Sequence, residues 1–401
     1  MSTDNPNWHI TRLRRFLKMS GIKDAIVDAV PITPENENYF FGYYDLNAYD
    51  STGKTHLCAR TDFIDRIPAA DDVLTLGRVR GGVFEEIAQT TAWNFQQGAL
   101  LQYMGGSDDT VFYNIRHNGG YATVKHNTAS GEKLIADCAA GCISPDGRYG
   151  LGINFARIFD FRKGYGYCGI EDAHSEKCPS DDGIFLIDFA SGKSKLIISY
   201  EDIKRRFPSE FTLNEKILVN HITFNKTSDR FLFLLRNFPD AKRGAWATSL
   251  ITADLDGNMH MVMENSYVSH YAWRDSDTIV AFCAPYGKRG LFEIKDISNE
   301  FTELKSPYAD DPTHSGDIHC LYSPNGRYIL GDGYPDSDGY RPLFLYELAS
   351  GRIDTLLRAK SLLDDNWEIR CDLHARFSRD GKKVSFDTVH TGKRQIYEFE
   401  L

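Results

Sequence analysis

His319-Cys-Leu-Tyr-Ser-Pro-Asn-Gly-Arg-Tyr-Ile-Leu-Gly-Asp332 and His374-Ala-Arg-Phe-Ser-Arg-Asp-Gly-Lys-Lys-Val-Ser-Phe-Asp387 are two copies of one pattern. Each reads as a strand, a tight Asn-Gly or Asp-Gly turn, and a second strand. Those dipeptides supply the positive φ that a two-residue hairpin needs. A third strand follows each copy, over residues 342–348 and 395–401. After the first of these, Ser350-Gly351 turns the chain into a fourth strand over 352–357.

Weaker copies precede them. Ser144-Pro-Asp-Gly-Arg-Tyr149 carries the same turn, and shorter turn signals lie at Ser228-Asp229, Asp275-Ser-Asp277, Gly105-Gly-Ser-Asp108 and Ser51-Thr-Gly53. Anchored on Tyr44, Gln97, Ala140, His221, His270, His319 and His374, the seven copies are spaced by 53, 43, 81, 49, 49 and 55 residues. One long gap aside, this is the period of a propeller blade. The predicted fold is all-β, a seven-bladed β-propeller. Aromatics at 13% of the chain, with 21 Tyr and 25 Phe, favour strands as well.

The 81-residue gap holds a stretch at 155–182 rich in Gly, Tyr and charge, then a helical-looking stretch at 200–214. It is assigned as one loop and helix insertion, about residues 155–216, in the third blade. The last copy ends after three strands, and a segment near 26–32 is placed to supply the fourth and close the ring. Residues 1–25 carry Trp8, Ile10, Leu13, Phe16 and Leu17 among Arg12, Arg14, Arg15 and Lys18, which predicts a short amphipathic helix. The organisation is thus an N-terminal helical extension over 1–25 and a single propeller over 26–401.

A formal charge of −10 argues against a nucleic-acid partner, whose phosphates draw on Lys and Arg. No run of 18 apolar residues is present and the N-terminus lacks an apolar signal core, so a cytoplasmic protein without membrane attachment is expected. The eight cysteines form no CxxC pair and are expected as reduced thiols, with no structural zinc.

The first strand of a blade lines the central axis, so equivalent anchors converge in space. Four of the seven anchors are His221, His270, His319 and His374, and a fifth is Gln97. Converging imidazoles can bind a transition metal, or serve as acid–base groups and hydrogen-bonding partners of a polar ligand. Arg157, Arg162, Tyr165 and Tyr167 sit on the insertion. Trp93 and Gln97 enter the second blade, and Asn114, Arg116 and His117 end its second strand. Flat aromatics, planar amides and arginine forks suit a sugar acid, which offers a stacking face, hydroxyls and a carboxylate. No GxSxG elbow, P-loop or HExxH occurs.

The His strand followed by Ser-Pro-Asn-Gly or Ser-Arg-Asp-Gly resembles the oligogalacturonate lyases and related propeller polysaccharide lyases. The stretches 93–98, 113–117 and 154–167 further resemble the ulvan and rhamnose–glucuronate lyases. The resemblance implies β-elimination at a uronic acid. It makes His117 or Tyr165 base or acid and Arg157 or Arg162 the carboxylate partner, with His221 a further catalytic candidate. Gln97 would orient substrate where relatives often carry histidine, and Trp93, Asn114, Tyr167, Tyr44, His319 and Arg376 are candidates for contacting it. The resemblance leaves two cofactor expectations open: none, or a divalent metal such as manganese on His270, His319 and His374. An arginine near the site would oppose a cation and favour neutralisation without metal. The expected partner is an anionic oligosaccharide. A glycoside hydrolase, or a propeller scaffold without catalysis, remains the alternative.

Overall fold

In the quoted repeats the serine closes the hairpin. The Ser323 N–H donates to the Tyr328 carbonyl at 2.8 Å, and the Tyr328 N–H returns to Ser323 Oγ at 3.0 Å. The hydroxyl thus takes the place of a ladder carbonyl. It also donates to Asn325 Oδ1 at 2.8 Å, and that oxygen accepts from the Arg327 N–H at 3.0 Å. Gly326, at φ +66°, supplies the left-handed residue. Ser378, Asp380 and Gly381 repeat the arrangement, as do Ser144, Asp146 and Gly147. Residues 324–327 lie between the paired ends, so the expected two-residue turn is a four-residue loop in which serine stands in for the missing ladder bond.

The computed structural model describes residues 29–238, 247–305, 316–363 and 366–401. Within them the chain forms seven four-stranded antiparallel sheets, six of them wound in sequence order outward from the axis. The inner strands of blades one to seven are Asn38–Phe40, Gln102–Tyr103, Ala140–Ile143, Ile217–Phe224, Val268–Trp273, Ile318–Tyr322 and Arg376–Phe377. The seven-bladed propeller expected from the repeat is the observed fold. Apolar side chains of neighbouring blades fill the space between sheets, as where Ile318, Cys320 and Ile329 of blade six meet Val280, Phe282 and Leu291 of blade five.

Blade seven is closed by the N-terminal segment, as the sequence suggested. Val30–Pro31 is its outermost strand, with Val30 opposite Glu398 and Pro31 opposite Tyr397. Proline fits here because an edge strand has one unpaired side. The amphipathic helix expected over 1–25 lies outside the described residues.

The insertion needs correction. Gly183–Asp188 and Lys193–Ser199 fall inside the span 155–216 but are the two outer strands of blade three. The excursion is therefore split. Residues 153–182 join the second and third strands and contain helix α1, Phe155–Phe161, capped by Asn154. Residues 200–216 lead to blade four and contain α2, Tyr200–Arg206, and α3, Glu210–Asn214. Ser199 and Asp202 form a capping box at the start of α2. Among the described residues no helix is long and apolar enough to cross a membrane.

Candidate functional site

Register decides which side chains reach the axis. The pairing of blade four slips between Asn220 and Ile222, so His221 is the extra residue of a bulge, at φ +49°. A similar slip between Val268 and Tyr271 frees His270. Bulges re-aim side chains in this way and are common beside functional sites. His374, at φ +42°, lies just before the inner strand of blade seven. His319 lies within a regular ladder opposite Asp332, and the two side chains bond at 3.0 Å.

These four histidines converge. Ring centroids of His270 and His319 lie 4.1 Å apart, those of His319 and His374 4.6 Å, and those of His221 and His270 6.5 Å. Tyr43 fills the centre, stacked on His221 at 5.2 Å and edge-on to His374 at 4.8 Å. Tyr44 lies beside His319 at 5.3 Å and donates its hydroxyl to the Tyr271 carbonyl at 2.9 Å.

Hydrogen bonds fix the imidazole tautomers. His270 Nδ1 faces Asp317 Oδ1 at 3.1 Å, His319 Nδ1 faces Asp332 Oδ2, and His374 Nδ1 faces the Gly42 carbonyl at 2.8 Å. A carboxylate or carbonyl can only accept, so each Nδ1 donates and Nε2 is the nitrogen left to face a metal. This is the outer-shell arrangement of metal-binding histidines. Nε2 of His319 and of His374 are buried without a hydrogen-bond partner. Ligand atoms of His319, Asp372 and His374 lie within 4.8 Å of one another. The donor set fits a divalent cation, with His270 adjacent.

Asp372 also carries two arginines. Arg341 Nη1 lies 2.6 Å from Oδ1, Arg370 Nε donates to Oδ1 at 3.2 Å, and Arg370 Nη2 lies 2.9 Å from Oδ2. Burial would raise this carboxyl, but Arg370 and Arg341 outweigh it and hold it well below the usual range.

Above the cluster opens a cavity of about 1050 Å³. Its walls include Arg162 and Tyr165 from the insertion, His221 and Arg236 from blade four, His270 and Arg289 from blade five, Tyr334 from blade six, and Trp367 from the connection to blade seven. Tyr165 bridges the insertion to that connection, its hydroxyl accepting from Arg370 Nη2 at 2.9 Å. Arg162 lies over the Tyr165 ring at 4.4 Å. Burial, then repulsion from Arg236 and His270, holds the His221 imidazole well below the ordinary histidine value. Burial, then Arg162, lowers the Arg236 guanidinium to about 10. Two mutually repelling guanidiniums beside a neutral imidazole form a pocket that an anion would stabilise.

Other expected residues lie elsewhere. Arg157 is fully buried, paired with Asp172 at 3.1 Å and donating to the carbonyls of Ile217, Glu176 and Lys177. It fastens the insertion to blade four. His117 is exposed at the end of its strand, against Asn118. Trp93 is core, its Nε1 donating to the Asp72 carbonyl at 2.8 Å. Asn114 bonds the Tyr167 hydroxyl at 3.0 Å, and Tyr167 stacks on Phe155 at 4.1 Å. Arg376 is paired with Asp387 at 2.7 Å. Gln97 lines a smaller hollow of the channel with Tyr44 and His221, outside the main cavity. A second group, Asp172, His174 and Asp182, lies in the insertion, away from the axial cavity, with Arg157 and Lys216 on Asp172.

Tyr43, Arg236, Tyr334, Trp367, Arg370 and Asp372 were not foreseen. Tyr43 and Asp372 are each within two residues of an anchor already identified, so the anchors' neighbours held the usable signal.

No protein-family model matches the chain, and no curated protein matches it. Solved structures do. An oligogalacturonate lyase in complex with manganese superposes with a TM-score of 0.67 at 16% identity, covering 95% of both chains. The chain has the fold of the oligogalacturonate lyases. A second one, from Vibrio parahaemolyticus, gives 0.63 at 14% identity, covering 94% of this chain and 95% of that one. The tricorn protease gives 0.52 at 14% identity, with 94% of this chain matching 34% of that one. This likeness to oligogalacturonate lyases runs the length of the propeller, in keeping with the resemblance drawn from the repeat motifs.

Proposed function

We propose that the protein is a carbon–oxygen lyase that cleaves uronate-containing oligosaccharides by β-elimination in the axial cleft. The observation that carries this reading is His221, a neutral imidazole in the cleft wall with a buried Nδ1 that has no hydrogen-bond partner, beside Arg162 and Arg236.

The substrate carboxylate sits against Arg162 and Arg236, which withdraw charge and make the neighbouring C–H acidic. His221 takes that proton. The electron pair left on carbon forms the new double bond, and the bond to the glycosidic oxygen breaks. Tyr165 gives its phenolic proton to the departing oxygen, and Arg370, bonded to the same hydroxyl, steadies the phenolate. His319, His374 and Asp372, with His270 beside them, would hold a divalent cation such as manganese. Bound there, it would add positive charge to neutralise the carboxylate. Tyr43 and Tyr44 keep the histidines in place by ring packing.

The test is a panel of uronate oligosaccharides followed by ultraviolet absorbance of the unsaturated product, with and without chelator. Absorbance growing with time, and lost in His221→Ala, is expected. New reducing ends without absorbance would make the protein a hydrolase. No turnover of any uronate would leave a binding scaffold.

A further inference from the structure

The cavity is larger than one reacting sugar requires. At about 1050 Å³ it reaches the upper end of the roughly 300–1,000 Å³ that holds a drug-sized ligand. Trp367 and Arg289 stand on its wall and have no part in the chemistry above. Trp367 is 45% exposed, unusual for an indole on a cavity wall. Its ring stacks on Tyr334 at 5.3 Å and 21°, and Arg370 lies 4.4 Å from its centroid. Tyr334 and Arg370 are only 5.8 Å from each other, far less than the sum of those two distances. Both pack against the indole, and it still keeps nearly half of its surface exposed on the cavity wall.

Arg289 stands on the blade-five wall of the same cavity. Its guanidinium carbon lies over the Tyr267 ring, 3.9 Å from the centroid, and Tyr267 is itself tied to Asp317 at 2.7 Å. Among the described residues Arg289 has no carboxylate partner, although neighbouring Lys288 is paired with Glu303. A cation fixed on an aromatic ring keeps its planar donors free for a carboxylate.

We propose that Trp367 and Arg289 form an outer subsite in which a second acidic sugar unit lies against the indole and places its carboxylate on the guanidinium. This rests on the uronate reading of the cleft and deepens it. The substrate is then at least two contiguous uronates, because the inner arginines hold one carboxylate and Arg289 another. A rigid indole suits the apolar face of a pyranose at small entropic cost.

The test is calorimetric binding of galacturonate and of digalacturonate to the full chain in the His221→Ala background, which keeps the dimer intact. Galacturonate is also titrated into the unchanged protein. The dimer is expected to bind about tenfold more tightly than the monomer. Adding Trp367→Ala or Arg289→Gln should remove that increment and leave monomer affinity in place, whereas Trp367→Phe should restore most of it. A dimer that binds no better than the monomer, or variants that weaken both ligands equally, would overturn the outer subsite alone. Failure of the unchanged protein to bind galacturonate, together with failure of the dimer to bind, would overturn the uronate reading and the subsite with it.

Discussion

His221 shows how a single residue acquires its chemistry from the fold. A bulge turns it inward, and Tyr43, Tyr165, His270, Arg162 and Arg236 surround it. Burial and the nearby cations disfavour its protonated form. A base works only when unprotonated, so lowering its pKa carries the working form to lower pH. The acid limb of kcat/KM should therefore break well below about pH 6.5, the ordinary histidine value. A limb at or above that value would exclude His221 as the base. Arg157 is a contrasting case. The sequence suggested a substrate-facing arginine on a Gly- and Tyr-rich loop, yet its side chain is wholly enclosed by Asp172, three backbone carbonyls and the Tyr200 ring. Arg157→Ala removes one of the two cations on buried Asp172 and the donor to three backbone carbonyls, so it should cost about 3 kcal/mol and lower the melting temperature. Arg157 and Arg162 are five residues apart and equally charged, and only the turn of α1 sends one inward and the other to the cleft. The sequence carries no local sign of that difference. The four histidines were legible because they recur at one position of a repeat. Arg236 and Trp367 occupy no repeated position, and tertiary placement alone brings them to the cavity.

At the scale of the element, the hairpin is where sequence and fold agree most directly. The Ser-x-Asx-Gly turn needs a hydroxyl to replace a ladder acceptor, an Asx oxygen to hold the following N–H, and glycine for positive φ. All three needs are local, so they survive as a motif, and they made the blade count readable from the chain. Ser378→Ala removes the acceptor of the Lys383 N–H, a bond of 3.0 Å, and should destabilise the protein by about 1 kcal/mol in chemical denaturation. An unchanged midpoint would mean that water replaces the hydroxyl at no cost. The limits of the insertion were less legible. Gly183–Asp188 carries no such turn at its start, because 30 residues of loop and helix separate it from the strand it pairs with, whereas Lys193–Ser199 follows it directly across Ser191-Gly192. Pairing across that distance is set by where the sheet edge lies, which no short window of sequence records.

At the scale of the molecule, the ring and the cluster depend on each other. His270 comes from blade five, His319 from blade six, His374 from the approach to blade seven, and the carbonyl that orients His374 is Gly42 of blade one. Closure by Val30–Pro31 holds the last blade in the circle, and so holds His374 near His319. A cation bound to these side chains would tie blades five, six and seven together at the axis. Their ligand atoms share one place only in the folded ring, so the ion should bind the native state and stabilise it by mass action. With manganese at a hundred times its dissociation constant the gain is about 2.7 kcal/mol, visible as a raised melting temperature that chelator reverses. His319→Ala removes the central ligand and should abolish the shift, whatever the protein catalyses. His117→Ala, at an exposed position outside the cleft, should leave the shift intact. Equal shifts in both variants would mean that manganese binds elsewhere. No shift in the unchanged protein would leave Asp372 to its two arginines and the carboxylate of the substrate to Arg162 and Arg236 alone.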